Sequence, residues 1–220
     1  MTWLQPKTQL NNIWMGWSHG GLNHSTTSLA GRVSDLVQQR DVQLNGFAYL
    51  HQVHGNTVLY ADKDGELGKA DALWTDVGKR ALVIQTADCV PIFLIGDGTI
   101  AAVHAGWRGI ANQIVEETCK RRHFHTAVVG PCISGQNYEV GEEVVQAICA
   151  TGVAEGHFVD RSFPKPHVDP RAAVVQQLLM AGVEKIEVHP DCTFNDKAWA
   201  SYRRDGTNAG RILSVIGLQE

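Results

Sequence analysis

The sequence predicts an α+β fold, with mixed β-sheets and helices packed on the outside, in a single compact domain over residues 1–220. Three observations point there. Short apolar, β-branched runs outnumber helical patterns. Several such runs follow one another with no helix between them, which argues against a regular doubly wound sheet. A chain of 220 residues also supports one sizeable core but not two independent domains.

The elements follow in chain order. Residues 1–45 form the least regular segment, and GWSHGGLNHSTTSL within it reads as a loop rich in Gly, Ser, Thr, Asn and His. Strands are predicted at 46–50 (GFAYL), 57–61 (TVLYA), 81–85 (ALVIQ), 91–95 (PIFLI), 99–104 (TIAAVH), 126–130 (TAVVG) and 184–189 (EKIEVH). GIANQIVEETCKRR places Ile110, Ile114, Val115, Thr118 and Cys119 on one helical face, with basic residues closing the last turn. EVGEEVVQAICA repeats that spacing through Val140, Val144, Val145, Ile148 and Cys149. In DPRAAVVQQLLMAG, Asp169 caps, Pro170 fits the first helical position and Gly182 terminates.

Composition narrows the function classes. A net charge of −4 leaves no electrostatic footprint for nucleic acid or an anionic membrane. No apolar run is long enough to span a bilayer, and MTWLQPKTQLNNIW lacks the basic start and apolar core of a secretory signal. Five cysteines, at 89, 119, 132, 149 and 192, are an odd count in a chain of this size. They fit reduced thiols and a cytoplasmic location, as buried, catalytic or metal-bound groups.

Three segments end a strand in a polar group beside Gly or Pro: HQVHG (51–55), TADCVP (86–91) and AAVHAGWRG (101–109). His54, Cys89 and His104 are therefore candidate ligands for zinc, which accepts thiolate and imidazole together and leaves a position for water or substrate. Their spacing alone leaves open three strand ends that merely happen to be polar. Asp88 interrupts an apolar run, as a support for a metal-bound His or as a general base. Arg108 offers a planar fork of donors to an anion such as phosphate, or neutralises Asp88; Arg203 and Arg204 in SYRRDG are further candidates. Cys119, His123 and His125 in CKRRHFH have donor spacing but read better as a cationic helix end. Cys132 and Cys192 read as packing thiols. Trp74 reads as core, and Asp71 as a cap or turn.

Taken in order, HQVHGNTV, ADALWTD, TADCVPIFL, AAVHAGWRGI, GPCISGQNYEVG and CTF…SYRRDG…GR resemble the bacterial YfiH/laccase-domain family. That family includes purine nucleoside phosphorylases once described as polyphenol oxidases. The resemblance covers roughly residues 46–218. It implies zinc at His54, Cys89 and His104, an acidic residue near the site at Asp71, a mixed-sheet α+β fold, and phosphorolysis of adenosine, inosine and methylthioadenosine, with adenosine deamination beside it. Purine nucleosides and phosphate are then the small-molecule partners, and the protein is a monomer or homodimer. The N-terminal segment departs from the pattern: where the family carries a site-facing arginine, WSHGGLNHSTTSLAG has His19.

Three rival readings remain at this stage. A laccase-like copper oxidase is disfavoured, because the chain has one His-x-His pair and its methionines, at 1, 15 and 180, stand away from the candidate ligands. Copper can nevertheless occupy the same trio. A metal-free cysteine hydrolase would use Cys89 as nucleophile and His104 or His54 as base. A partner-binding protein would keep the site without its chemistry.

Overall fold

The computed structural model describes residues 2–5, 12–19, 29, 31–33 and 44–219. Two six-stranded mixed sheets carry the chain. The first runs β1 (Thr2–Leu4), β2 (Ile13–His19), β14 (Ile212–Leu218), β7 (Arg80–Thr86), β3 (Gly46–His51), β5 (Gly65–Lys69). The second runs β13 (Lys185–Val188), β10 (Thr126–Val129), β8 (Val90–Gly96), β9 (Thr99–Ala105), β6 (Ala72–Thr75), β4 (Val58–Tyr60). A two-stranded ribbon, β11 (Val159–Asp160) with β12 (His167–Val168), lies apart.

The sheets are mixed because chain neighbours seldom pair. β7 lies parallel to β3 and antiparallel to β14, while β8 lies antiparallel to β9 and β10. Strands β8 and β9 are buried along their full length, so their sequences run continuously apolar instead of alternating. One core, containing Trp17, Leu82, Ile84, Phe93 and Ile100, joins the two sheets. Trp17 of the first sheet stacks on Phe93 of the second, with ring centroids 5.8 Å apart. A second core lies under the helices, from Ile92 and Val103 to Ile114, Val145 and Leu178.

Besides helical residues at 29 and 31–33, five α-helices follow β9: α1 (Trp107–Ala111), α2 (Ile114–Cys119), α3 (Glu142–Cys149), α4 (Pro170–Met180) and α5 (Tyr202–Asp205). Helix α4 starts as its sequence requires: the Asp169 carboxylate accepts from the N–H groups of Arg171 and Ala172 at 2.9 and 3.3 Å. Gly182 follows its end at φ +82°.

The helix expected over GIANQIVEETCKRR is broken into α1 and α2, with Gln113 left-handed at φ +59°. Two side chains take the carbonyls around the break. Asn56 donates to Asn112 O at 2.8 Å and Gln177 donates to Ile110 O at 2.9 Å. The irregular N-terminal segment also needs correction. Gly16–His19 belong to β2, whose pairing with β14 joins the two ends of the described chain. Residues 20–28 lie outside the described residues.

Phe93 is fully buried between the sheets. Phe93→Ala should cost about 3–5 kcal/mol, read as a fall in the denaturant midpoint at unchanged slope.

Candidate metal centre

His54, Cys89 and His104 come from three separate places. His54 sits in the turn after β3, Cys89 in the turn between β7 and β8, and His104 near the end of β9. Their ligand atoms all lie within 4.8 Å of one another. The two imidazoles meet edge to face, with centroids 4.8 Å apart.

A carboxylate outside the predicted ligand trio arranges two of the three. Asp71, between β5 and β6, is fully buried. It accepts the backbone N–H groups of Val53, His54 and Gly55 at 3.2, 2.9 and 2.6 Å. It also takes Nδ1 of His104 at 2.8 Å. A carboxylate with its proton lost can only accept, so Nδ1 carries the hydrogen and Nε2 is the nitrogen left to face a metal. Burial pushes the Asp71 carboxyl up, but the His104 bond and the Gly55 and His54 amides hold it below the ordinary carboxylate range. The same turn places His54 at φ +59°, a conformation that these three amide bonds over-determine.

The Cys89 turn is held separately. Asp88 is left-handed at φ +85° and nearly buried. Its two carboxylate oxygens accept from the Thr193 hydroxyl at 2.6 Å and from Arg203 N–H at 2.7 Å. Its carbonyl accepts from Ile133 N–H at 3.1 Å.

Glycine closes the site from the third side. A Cβ at Gly106 would stand 2.9 Å from Cδ2 of His54 and 3.2 Å from Sγ of Cys89. The HAG of HAGWRG therefore needs its glycine to let the backbone pass the ligands.

The ionisation fits a metal site. Burial alone would raise the Cys89 thiol, but His104 and then His54 bring it down to about 6. Burial alone would lower His104, but Cys89 and Asp71 push it up to about 9. A thiolate and two imidazoles, pre-oriented around a glycine-lined gap, are a donor set that can hold one metal ion of the zinc or copper type.

The trio opens on a cavity of about 540 Å³, with Gln52, Gln85, Glu66, Tyr202 and Arg211 in its walls. Gln52 fixes the Gln85 backbone by reciprocal bonds of 2.7 and 2.8 Å. Arg211 anchors one guanidinium nitrogen on Ala209 O and Gly210 O at 3.1 and 2.8 Å. The GR that closes the last sequence motif carries this residue, and its place in that motif was the signal available for it.

Several expected roles move. Asp88 does not support a ligand imidazole; Asp71 does, because the Asp88 oxygens are both taken by the C-terminal segment. Arg108 does not neutralise Asp88: it is exposed, with its guanidinium 4.3 Å over the Trp107 ring. Arg204 is a framework clamp, bonded to the carbonyls of Thr193, Phe194 and Trp199 and paired with Asp205. Arg203 lies 4.9 Å over Tyr138 and donates to Glu139 O. His19 pairs with Thr2 through β1 and β2, and its side chain lies outside the described residues. Among the described residues, Cys119, His123 and His125 gather no metal-binding group.

A mixed-sheet α+β scaffold with a His–Cys–His centre defines a narrow class, and the comparisons agree with it. The family described as multi-copper polyphenol oxidoreductase laccase matches residues 21–219, and the chain belongs to it. A purine nucleoside phosphorylase of Corynebacterium glutamicum is 38% identical over 208 residues, covering 88% of this chain and 82% of that protein. One from Clostridium acetobutylicum is 30% identical, covering 98% and 95%. Among solved structures, a DUF152-family protein of Neisseria meningitidis superposes with a TM-score of 0.85 at 27% identity, covering 99% of each chain. YlmD from Geobacillus stearothermophilus gives 0.85 at 26%, covering 96% and 93%.

Asp71→Asn keeps the shape but removes the charge and half of the acceptor capacity. Metal affinity should fall roughly 10–100-fold with the fold retained, as metal titration and circular dichroism would show. In the metal-free protein, the Cys89 thiolate forms above about pH 6. Its alkylation rate should therefore be nearly flat from about pH 7 to 9, where an ordinary thiol accelerates steeply. A steep rise would mean that the imidazoles do not stabilise the thiolate.

Proposed function

We propose that this chain is a purine nucleoside phosphorylase that holds zinc at His54, Cys89 and His104. Its proposed substrates are adenosine, inosine and methylthioadenosine, with adenosine deamination as a second activity. The observation that carries the reading is the cavity of about 540 Å³ that includes all three ligand residues and one guanidinium, Arg211. That volume suits a nucleoside. The purine nucleoside phosphorylase names of relatives at 30–38% identity support the same reaction class.

Zinc bound there would supply a Lewis-acid centre and acidify a water at neutral pH. The chain's own residues must bind phosphate and hold the nucleoside still. In phosphorolysis a phosphate oxygen forms a bond to the ribose carbon while the carbon–nitrogen bond to the base breaks. Both anions need donors that are already oriented.

Arg108 and Arg203 suit the phosphate. Among the described residues neither guanidinium forms an ion pair; one lies over Trp107 and the other over Tyr138. Both positive charges are felt at Tyr138, beside Cys89 and Asp88. Burial, with the negative charges of Cys89 and Asp88, pushes the Tyr138 phenol up to about 12 against those two arginines. Tyr138 thus keeps its O–H at neutral pH and remains a donor. Within the cavity, Arg211 and Gln85 offer polar contacts to ribose and base.

Incubating zinc-loaded protein with each nucleoside, with and without phosphate, tests the reading by product mass. Free base and the matching sugar 1-phosphate, ribose 1-phosphate or 5-methylthioribose 1-phosphate, should appear only with phosphate. Base release without phosphate, or turnover after chelation, would instead favour a hydrolase using Cys89. Phenol oxidation by protein that purifies with copper would favour the oxidase. Cys89→Ala should lose both metal and nucleoside turnover, since two imidazoles hold zinc weakly. Arg108→Ala should raise the phosphate KM at least about tenfold while changing the nucleoside KM much less.

A further inference from the structure

Two cysteines outside the metal trio stand directly opposite each other. Cys132, after β10, and Cys192, after β13, are parallel bridge partners, and Thr193 N–H donates to Cys132 O at 3.0 Å. Adjacent strands lie about 4.8 Å apart, and a disulfide accepts Cα separations of about 4.4–6.8 Å. Bridge partners also project their side chains to the same face of the ladder. Both thiols are free.

Their surroundings differ. The Cys192 sulfur accepts Ser134 N–H at 3.2 Å and the Asn137 amide at 3.4 Å. The two Nδ2 hydrogens of Asn137 are shared among Cys192 Sγ, Ser134 Oγ and Asn195 Oδ1, the last two at 3.1 Å, which keeps the amide close to the sulfur. Cys192 is half-buried and reachable, whereas Cys132 is fully buried. N–H donors aimed at sulfur favour a thiolate. Burial would raise the Cys192 thiol, but the Ser134, Asn195 and Phe194 donors hold it below its ordinary value. Burial pushes Cys132 well above its own.

We propose that Cys192 and Cys132 form a peroxide-reactive dithiol, with Cys192 as the attacking sulfur and Cys132 as the resolving one. The Cys192 thiolate attacks one peroxide oxygen and the O–O bond breaks. Cys192 becomes a sulfenic acid, and the departing hydroxide takes a proton to leave as water. The Cys132 thiol then attacks the Cys192 sulfur, and a second water carries away the hydroxyl and the thiol proton. Two thiols are oxidised to one disulfide, and one peroxide is reduced to two waters.

The pair sits beside the support of the metal turn. Ile133, next to Cys132, and Thr193, next to Cys192, are two of the residues that hold Asp88. The proposal is independent of the nucleoside reading, and so is its test.

The test treats the full-length, metal-loaded chain with hydrogen peroxide and maps the products by mass. Expected is a loss of two hydrogens, a cross-linked peptide joining residues 132 and 192, and reversal by dithiothreitol. Cys192→Ser should abolish the link and slow oxidation of the remaining thiols at least about tenfold. Cys132→Ser should instead leave a sulfenic acid at Cys192 that dimedone traps. A link through Cys89, trapping on another cysteine, or a parent that stays fully reduced would overturn the proposal. Should Cys132→Ser misfold, the linkage found in the parent decides.

Discussion

A single buried carboxylate sets the geometry on which the site depends. Asp71 is fully buried yet charged, and every hydrogen bond that its carboxylate accepts comes from a candidate ligand or from the turn that carries one. Three amide donors from residues 53–55 and one imidazole donor satisfy both of its oxygens. Its backbone also accepts His104 N–H at 2.7 Å, so side chain and main chain of one residue bind the same histidine. An unpaired buried charge costs several kcal/mol, so this arrangement is all or nothing. If the turn at His54 opens, Asp71 loses three partners at once. The left-handed backbone at His54 is thereby tied to the ionised state of Asp71.

Cys89 is placed by a second carboxylate with a different reach. Asp71 ties together the turn after β3 and strand β9, which are brought close by the sheets. Asp88 ties the turn after β7 to Ile133, just after β10, and to Thr193 and Arg203 in the C-terminal part of the chain. The three candidate ligands thus sit where two independently braced regions meet. Each brace uses a charged acceptor on backbone N–H or hydroxyl donors, which is stronger than a neutral pair and directional. This explains why the chain interrupts the apolar run between β7 and β8 with a carboxylate and a thiol. The thiol points to the ligand gap, and the carboxylate fastens the turn behind it.

Much of this was legible in the sequence, for identifiable reasons. Strands β8 and β9 declare themselves as apolar runs, and α4 through its Asp–Pro start. The trio could be named because its residues end strands beside Gly or Pro and fall in ordered motifs. What escaped reading depends on pairing at long range. Strand β14, ILSVIGL, carries the apolar, β-branched pattern of a strand yet is missing from the predicted set; its place between β2 and β7 rests on partners more than a hundred residues away, which no local pattern marks. The break at Gln113 depends on Asn56 and Gln177, far along the chain in both directions. Exchange of roles between Asp71 and Asp88 has the same origin. Asp88 is next to a ligand in sequence, whereas Asp71 is next to two ligands only in space. Arg204 looked like an anion binder because its carbonyl partners are backbone atoms, which no side-chain pattern reveals.

The charges at the centre also say what metal binding competes with. Without a metal, the Cys89 thiolate and the Asp71 carboxylate flank His104, and the imidazole answers by holding its second proton to about pH 9. The proton on Nε2 then occupies the direction a metal would take. Metal binding is therefore an exchange of one charge for another, with the His104 proton released. Affinity should rise with pH until that proton is lost, and level off above it. An ion entering there would meet donors that the Asp71 and Asp88 hydrogen bonds already orient.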